Sequence, residues 1–186
     1  QKGILRLLFI SRLHPKKNLS YILEVLNSKA FKGIIKFDVY GDSESSDYLM
    51  RCKDIAGRLP SNIEVRFMKG VVHSEAVKLF AAYDVFVLPS LGENFAHVIF
   101  ESFMSGTPVL ISDQTPWEGL RNNNAGWDIP LDDVEAYKDV VQYLMDLDFE
   151  EHKKMSLSAR KLAEEYLAKA NFRQNYLELF KGVKLN

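Results

Sequence analysis

The chain has 186 residues, of which 47% are hydrophobic and 26% charged, and its formal net charge is −1. This balance is typical of one soluble globular domain, and the near-zero charge without a long Lys/Arg run argues against nucleic-acid binding. No apolar stretch approaches the roughly twenty residues of a membrane-spanning helix. The only cysteine, Cys52, rules out an intrachain disulfide and a cysteine zinc site, and it favours a reduced, cytoplasmic setting.

Short β-rich runs alternate with amphipathic helical runs along most of the chain. The predicted strands cover residues 4–10, 34–40, 63–67, 84–90, 108–112 and 126–129. The fourth of the intervening helices is predicted over about 95–105, and a short helical turn is predicted near 116–120. Because parallel neighbours need crossover connections, this order predicts an α/β fold, a doubly wound, Rossmann-like parallel sheet of six strands with helices on both faces.

The C-terminal part of the chain differs from the alternating part. From about residue 133 the pattern is helical, and Phe172, Tyr176 and Phe180 recur every four residues as one apolar stripe. The favoured interpretation is that this stripe packs on its own domain, and the alternative is that it docks on a second domain. We expect a single domain over 1–186, with the sheet and its covering helices in about 1–146 and C-terminal helices in about 150–186.

The residues that follow the strands carry the functional information, because ligands of such sheets bind outside the carboxyl ends of the strands. The loop after the first strand contains Arg12, His14, Lys16 and Lys17 but no glycine, so it lacks the Gly-x-Gly-x-x-Gly turn of dinucleotide enzymes. Its cations suit a fixed anion such as a diphosphate, with Arg12 binding two oxygens and Lys17 acting as a point charge. The alternative is an ordinary solvated basic loop.

The loop after the fourth strand has complementary features. Residues 94–96 open the helix predicted over about 95–105, and a helix N-terminus offers free N–H groups to an anion. Glu93 and Glu101 would suit phosphate poorly, but carboxylates suit the hydroxyl groups of a sugar. A phosphate site beside a polyol site predicts a sugar nucleotide as the ligand.

Three segments in this order resemble a known family. Residues 11–19 (SRLHPKKNL), 87–120 (VLPSLGENFAHVIFESFMSGTPVLISDQTPWEGL) and 122–131 (NNNAGWDIPL) resemble the C-terminal half of retaining glycosyltransferases of the GT-B fold, the glycogen-synthase-like family four. The likeness extends from about Ile4 into the C-terminal helices. The ordered combination is specific, whereas each motif alone is weak evidence.

The resemblance implies transfer of a sugar from a UDP-, GDP- or ADP-linked donor to an acceptor hydroxyl, with retention of anomeric configuration and without a cofactor or metal ion. It assigns Glu93 to the reacting centre beside the donor sugar, and His97 is either a contact to donor or acceptor or a packing residue. The implied donor-binding residues are Arg12 and Lys17 for the diphosphate, Glu101 for the ribose, and Gly41, Met68, Lys69, Asn94, Phe95 and Ala96 around the nucleotide and sugar.

Ala96 and Asn94 depart from the family pattern, which usually has glycine at both positions. The family's acceptor site lies on an N-terminal domain, so we expect that domain as a partner, and we expect this piece alone to be inactive. The resemblance also implies a role in polysaccharide biosynthesis. Any peripheral contact with the inner face of the membrane would be made through the N-terminal domain. The alternatives are a non-catalytic nucleotide- or partner-binding module and another GT-B-fold enzyme, such as a sugar-nucleotide epimerase.

Overall fold

The protein forms a six-stranded sheet in which every neighbouring pair is parallel. The structure is a computed structural model that describes residues 2–71 and 73–170. The strands lie in the order β3-β2-β1-β4-β5-β6. Their bounds are β1 (Ile4–Ile10), β2 (Ile34–Tyr40), β3 (Ile63–Met68), β4 (Val85–Leu88), β5 (Val109–Ser112) and β6 (Gly126–Ile129). The predicted six-stranded α/β fold is confirmed.

Six α-helices lie within the described residues and connect or cover these strands. They are α1 (Leu19–Asn27), α2 (Ser46–Ala56), α3 (His73–Phe80), α4 (His97–Met104), α5 (Val134–Asp146) and α6 (Phe149–Ala170). Ser45 and Asp133 start α2 and α5 as side-chain N-caps, which is the usual way to satisfy a free N–H of the first turn. Over the described ranges, no helix combines the length and the apolarity needed to cross a bilayer. The apolar stripe of Phe172, Tyr176 and Phe180 lies outside the described residues.

The central strands are apolar on both faces because helices cover both sides of the sheet. All four residues of β4 and all four of β5 are buried, as are Leu7, Leu8 and Phe9 in β1. The edge strand β3 instead alternates between more and less buried positions. The chain therefore holds β1 and β4 rigidly side by side at the centre of the molecule.

The prediction of a short helical turn near residues 116–120 is wrong. The carboxylate of Asp128 accepts hydrogen bonds from the backbone N–H groups of Gly119 and Leu120, both at 2.9 Å. Gly119 also has a φ of +67°, which lies outside the right-handed helical region. These backbone N–H groups bind the side chain of Asp128 in β6, so the segment is an irregular loop that is hydrogen-bonded to the edge strand of the sheet.

Candidate functional site

The candidate site lies where the order of the strands reverses, between β1 and β4. The chain leaves β1 toward the β2 side of the sheet and leaves β4 toward the β5 side, so the loops after these strands diverge and open a crevice. The crevice is a cleft of about 510 Å³. It brings together seven of the residues predicted for the site: Arg12, Lys17, Glu93, Asn94, Phe95, Ala96 and His97.

An ion pair between the two loops forms the centre of the cleft. Lys17 Nζ lies 2.6 Å from Glu93 Oε1, and their side chains are only 18% and 11% exposed. The buried hydroxyl of Ser90 donates a hydrogen bond to the same oxygen at 2.7 Å. The backbone joins the loops as well, since the N–H of Leu91 donates to the carbonyl oxygen of Lys16 at 2.8 Å. Two residues predicted to bind different parts of a ligand therefore bind each other in this structure.

Arg12 is much less constrained than Lys17. Its guanidinium lies 2.6 Å from Glu44 Oε1, and the two side chains are 71% and 46% exposed. Exposed ion pairs of this kind contribute about 0.2–1 kcal/mol, so little free energy is lost when the arginine changes partners. Arg12 is free to turn toward an anion in the cleft.

The helix predicted over about 95–105 begins later, at His97. Ala96, which precedes it, has φ 57° and ψ 69°, in the left-handed region, and its side chain gives no capping hydrogen bond. The first turn of α4 therefore keeps backbone N–H groups without a side-chain cap, and His97 and Val98 of that turn line the cleft. Such an end suits a negatively charged group.

The backbone of Ala96 explains why glycine is the usual residue at this position in the resembling family. A left-handed conformation costs an L-residue with a Cβ atom about 1–2 kcal/mol. We expect Ala96→Gly to raise the free energy of unfolding by about 1 kcal/mol. The matched control Ala136→Gly, inside α5, is expected to lower it by about 1 kcal/mol. Urea unfolding of both variants measures the difference, and equal destabilisation by the two substitutions would contradict the strained conformation.

Trp117 contacts Phe95, one of the residues that form the wall of the cleft. Its indole N–H donates to the carbonyl oxygen of Phe95 at 2.8 Å, and its ring centroid lies 5.4 Å from that of Phe95. Phe100, Phe103 and Tyr166 pack around the same indole. This cluster fixes the backbone just before α4. No site role was predicted for Trp117, because it lies in a segment without helical or strand periodicity.

His97 lines the cleft and also packs against a neighbouring ring. It is exposed and lines the cleft, and its ring packs edge-on against Phe95 at 4.8 Å between centroids. His14, Lys16, Glu44 and Val98 complete the lining and were not among the predicted site residues. Among residues 2–71 and 73–170, no group of three or more His, Cys, Asp or Glu side chains is placed to hold a metal ion.

The remaining predicted residues lie outside the cleft lining. Gly41 follows β2, Met68 is the last residue of β3 and Lys69 comes directly after it, at the same edge of the sheet as the cleft. Gly41 has a packing reason to be glycine, since an added Cβ atom would lie 1.8 Å from the carbonyl oxygen of Ser11. Glu101 is half-buried in α4, about one turn after the helix begins rather than the two turns expected from a start at residue 95.

Several known proteins are similar in sequence to this chain. A model of the family described as glycosyl transferases group 1 matches residues 2–162. An uncharacterised glycosyltransferase of Methanocaldococcus jannaschii is 30% identical over 106 residues, which cover 57% of this chain and 26% of the relative. The UDP-Gal:alpha-D-GlcNAc-diphosphoundecaprenol alpha-1,3-galactosyltransferase of Escherichia coli is 28% identical over 132 residues, which cover 69% of this chain and 33% of the relative. The chain thus spans a quarter to a third of these curated relatives.

A solved structure shares the fold. The crystal structure of Anabaena HepE in complex with UDP and glucose superposes with a TM-score of 0.77 at 18% identity, and the match covers 97% of this chain and 49% of HepE. At this identity the likeness concerns the fold alone, that of one half of a chain about twice as long. The match of the family model over most of the sequence is independent of that superposition. The chain belongs to the family of glycosyl transferases group 1.

Proposed function

We propose that this chain is the donor-binding domain of a retaining, metal-independent glycosyltransferase that uses a nucleoside-diphosphate sugar. The observation that carries the proposal is the cleft between β1 and β4, where Lys17, Glu93 and the start of α4 meet. Cations and free N–H groups stand on one side of a carboxylate that suits sugar hydroxyls. The names of the galactosyltransferase relative and of the HepE complex, which specify UDP-Gal and UDP with glucose, support a ligand of this class.

The diphosphate would lie between the loop after β1 and the start of α4. Lys17 is the inner cation, Arg12 is a mobile outer cation, and the N–H groups of His97 and Val98 are fixed donors. These groups stabilise the negative charge that develops on the leaving diphosphate when the bond to the sugar breaks. Because these groups supply the compensating positive charge themselves, the reaction would need no divalent ion.

Glu93 would hold the donor sugar. Lys17 and Ser90 both bind Oε1 of this carboxylate, and within the described part of the chain no donor binds Oε2. That second oxygen can accept a hydrogen bond from a sugar hydroxyl. Glu93 is thereby a positioned acceptor next to the reacting carbon, where its negative charge also favours the positive charge that the sugar acquires in the transition state.

The nucleoside would extend from the diphosphate along the carboxyl edge of the sheet. Gly41, Met68 and Lys69 end the strands β2 and β3 at that edge, so they would surround the base, and Glu101 would bind the ribose hydroxyls. Met68 is 43% exposed, which leaves its side chain available to pack on a planar base. Asn94, Phe95 and Ala96 would line the phosphate and the sugar.

The acceptor site would belong to a part of the protein that this chain does not include. The relatives are three to four times longer than the matched region, and the galactosyltransferase relative is named for a diphosphoundecaprenol-linked acceptor. We propose that the complete protein acts in polysaccharide biosynthesis in the cytoplasm, with contact to the inner face of the membrane through that other part. The chain alone would bind the donor without turnover.

Calorimetric titration with UDP, GDP and ADP tests the donor site. We expect one of the three to bind, and we expect the double variant Arg12→Ala/Lys17→Ala to bind it about 100-fold more weakly, because hydrogen bonds to charged groups contribute about 1.5–3 kcal/mol each. The control is Lys29→Ala/Arg58→Ala, which removes two cations that lie outside the cleft. Equal affinity of wild type and the Arg12/Lys17 variant would refute a diphosphate site in this cleft.

A further inference from the structure

A second cleft lies at the far edge of the sheet, between β6 and α5. It also measures about 510 Å³, and its lining shares no residue with the first cleft. Gly126 at the amino end of β6 lines it, whereas the first cleft is built from residues that follow the carboxyl ends of β1 and β4. We propose that this second cleft is a carbohydrate-binding site that holds a pyranose unit of a glycan. The proposal is independent of nucleotide binding in the first cleft.

Two aromatic rings form a corner of this cleft. The ring centroids of Trp127 on β6 and Tyr143 on α5 are 5.8 Å apart, with an angle of 72° between the ring planes. Tyr143 is 51% exposed and Trp127 is half-buried. One face of a pyranose ring consists of C–H groups, which pack against an aromatic face, while the hydroxyl groups around the rim stay available for hydrogen bonds. A corner of two rings therefore fits an amphipathic ring better than a linear aliphatic chain.

Side chains that donate hydrogen bonds and side chains that accept them line the cleft around the two aromatic rings. Arg121 and Asn124 precede β6, and Asp139 lies one turn before Tyr143 in α5. Within residues 2–71 and 73–170 Arg121 forms no ion pair, while Asp139 Oδ1 accepts a hydrogen bond from Lys29 at 3.0 Å. Sugar hydroxyls both donate and accept, so they match a mixture of guanidinium, amide and carboxylate. The carboxylate of Asp139 disfavours a polyanion, and an apolar ligand would leave the guanidinium of Arg121 without a partner in the cleft.

The position of Trp127 is fixed by the sheet rather than by a ligand. β6 is an edge strand that pairs only with β5, and an added Cβ atom at Gly126 would lie 2.2 Å from the carbonyl oxygen of Val109. The backbone next to Trp127 is therefore held against β5 and cannot move away from it without loss of the pairing. A ring that is already fixed in place loses little conformational entropy when a ligand packs on it, which favours binding.

The two tryptophans of the chain provide an internal comparison for the test. In two-dimensional NMR spectra of the ¹⁵N-labelled chain, maltotetraose and an α-1,2-linked mannotetraose are titrated separately, and Trp127→Phe identifies which indole N–H signal belongs to Trp127. We expect at least one tetrasaccharide to shift the Trp127 signal in a saturable way. The signal of Trp117, which is 7% exposed and bound to Phe95, is expected to stay in place.

Variants of Tyr143 separate packing on the ring from other effects. Loss of the ring in Tyr143→Ala is expected to weaken tetrasaccharide binding about tenfold, whereas Tyr143→Phe keeps the ring and is expected to bind as wild type does. Arg12→Ala/Lys17→Ala is expected to leave tetrasaccharide binding unchanged, which separates this site from the first cleft. The proposal is overturned if neither tetrasaccharide shifts the Trp127 signal, if Tyr143→Ala binds like wild type, or if UDP alone shifts that signal saturably.

Discussion

Lys17→Ala is expected to lower the free energy of unfolding by about 2–3 kcal/mol, because it leaves the carboxylate of Glu93 without its cation. Removal of one member of a fully buried ion pair costs about 3–5 kcal/mol. We expect a smaller loss of about 2–3 kcal/mol here, because Lys17 and Glu93 are 18% and 11% exposed. Urea unfolding measures the change. Lys16→Ala is the matched control, because Lys16 is the exposed neighbour of Lys17 in the same loop, and its substitution is expected to change the stability by less than about 0.5 kcal/mol.

A double-mutant cycle shows whether the effect belongs to the pair. Glu93→Gln removes the charge of the carboxylate and keeps its shape, so Lys17→Ala/Glu93→Gln no longer buries an unpaired charge. We expect the double variant to lose about 1–2 kcal/mol less stability than the sum of the two single variants, as is usual for residues in direct contact. Additive losses would mean that Lys17 and Glu93 stabilise the protein through separate contacts.

The same pair predicts that Glu93→Gln affects the binding of two ligands differently. Glu93 accepts a hydrogen bond from the ammonium group of Lys17, so a diphosphate has to compete with this carboxylate for Lys17. Glu93→Gln is therefore expected to bind the nucleoside diphosphate several-fold more tightly. The same variant is expected to bind the corresponding sugar nucleotide no more tightly than it binds the nucleoside diphosphate, because the amide is a weaker acceptor for the sugar hydroxyl than the carboxylate. Calorimetry with both ligands checks this, and a parallel change for both would argue against contact of Glu93 with the sugar.

Trp117→Ala is expected to destabilise the chain by about 3–5 kcal/mol, which is the usual cost of deleting a large buried aromatic side chain. Trp117 is 7% exposed and packs with Phe95, Phe100, Phe103 and Tyr166. Trp117→Phe keeps part of this packing and loses the hydrogen bond to Phe95, so we expect a loss of about 1–2 kcal/mol. Urea unfolding ranks the variants, and the half-buried Trp127 in Trp127→Ala serves as the control with the smaller cost.

The Trp117 variants also test how the wall of the cleft is held. Trp117→Phe removes the donor that fixes the carbonyl oxygen of Phe95 at 2.8 Å and leaves every cleft-lining side chain in place. We expect it to weaken binding of the nucleoside diphosphate at temperatures where the variant is fully folded, because the backbone before α4 is no longer held in one position. Unchanged affinity in the folded variant would show that the cleft keeps its shape without this hydrogen bond.

The strands of the sheet were the most predictable part of the fold. The predicted bounds 4–10, 34–40 and 126–129 agree with β1, β2 and β6 at both ends. These runs are rich in β-branched and aromatic residues and are bounded by turn residues, so local pattern and tertiary burial favour the same structure. The alternation of strands and helices then limits the topology to a doubly wound sheet, which predicts the edge of the sheet where ligands bind.

The predicted start of α4 was wrong, and the type of residue at position 96 does not indicate why. Ala96 is a strong helix former, and nothing in its identity indicates a left-handed backbone. The resemblance to a family with glycine at this position carried the relevant signal. The segment near 116–120 was likewise predicted as a helical turn, but its backbone N–H groups bind Asp128, which lies nine residues after Gly119.

Pairings between distant residues were beyond prediction from the sequence. Lys17 and Glu93 were each selected because they follow a strand, but they are 76 positions apart, and their contact depends on β1 lying beside β4. Trp117 shows the same limit, since its hydrogen bond to Phe95 joins two loops that have no periodic pattern. Loop positions could be predicted from the strand order, whereas side-chain partners required the three-dimensional structure.

The most direct test of the donor site is a crystal structure of this chain with the nucleoside diphosphate that binds most tightly in calorimetry. We expect the diphosphate to lie within hydrogen-bonding distance of Lys17 Nζ and of the backbone N–H of Val98. We also expect Lys17 to move away from Glu93, whose Oε1 lies 2.6 Å from Lys17 Nζ in the present structure. A nucleotide bound elsewhere on the protein, with the Lys17–Glu93 pair intact, would contradict the assignment of this cleft as the donor site.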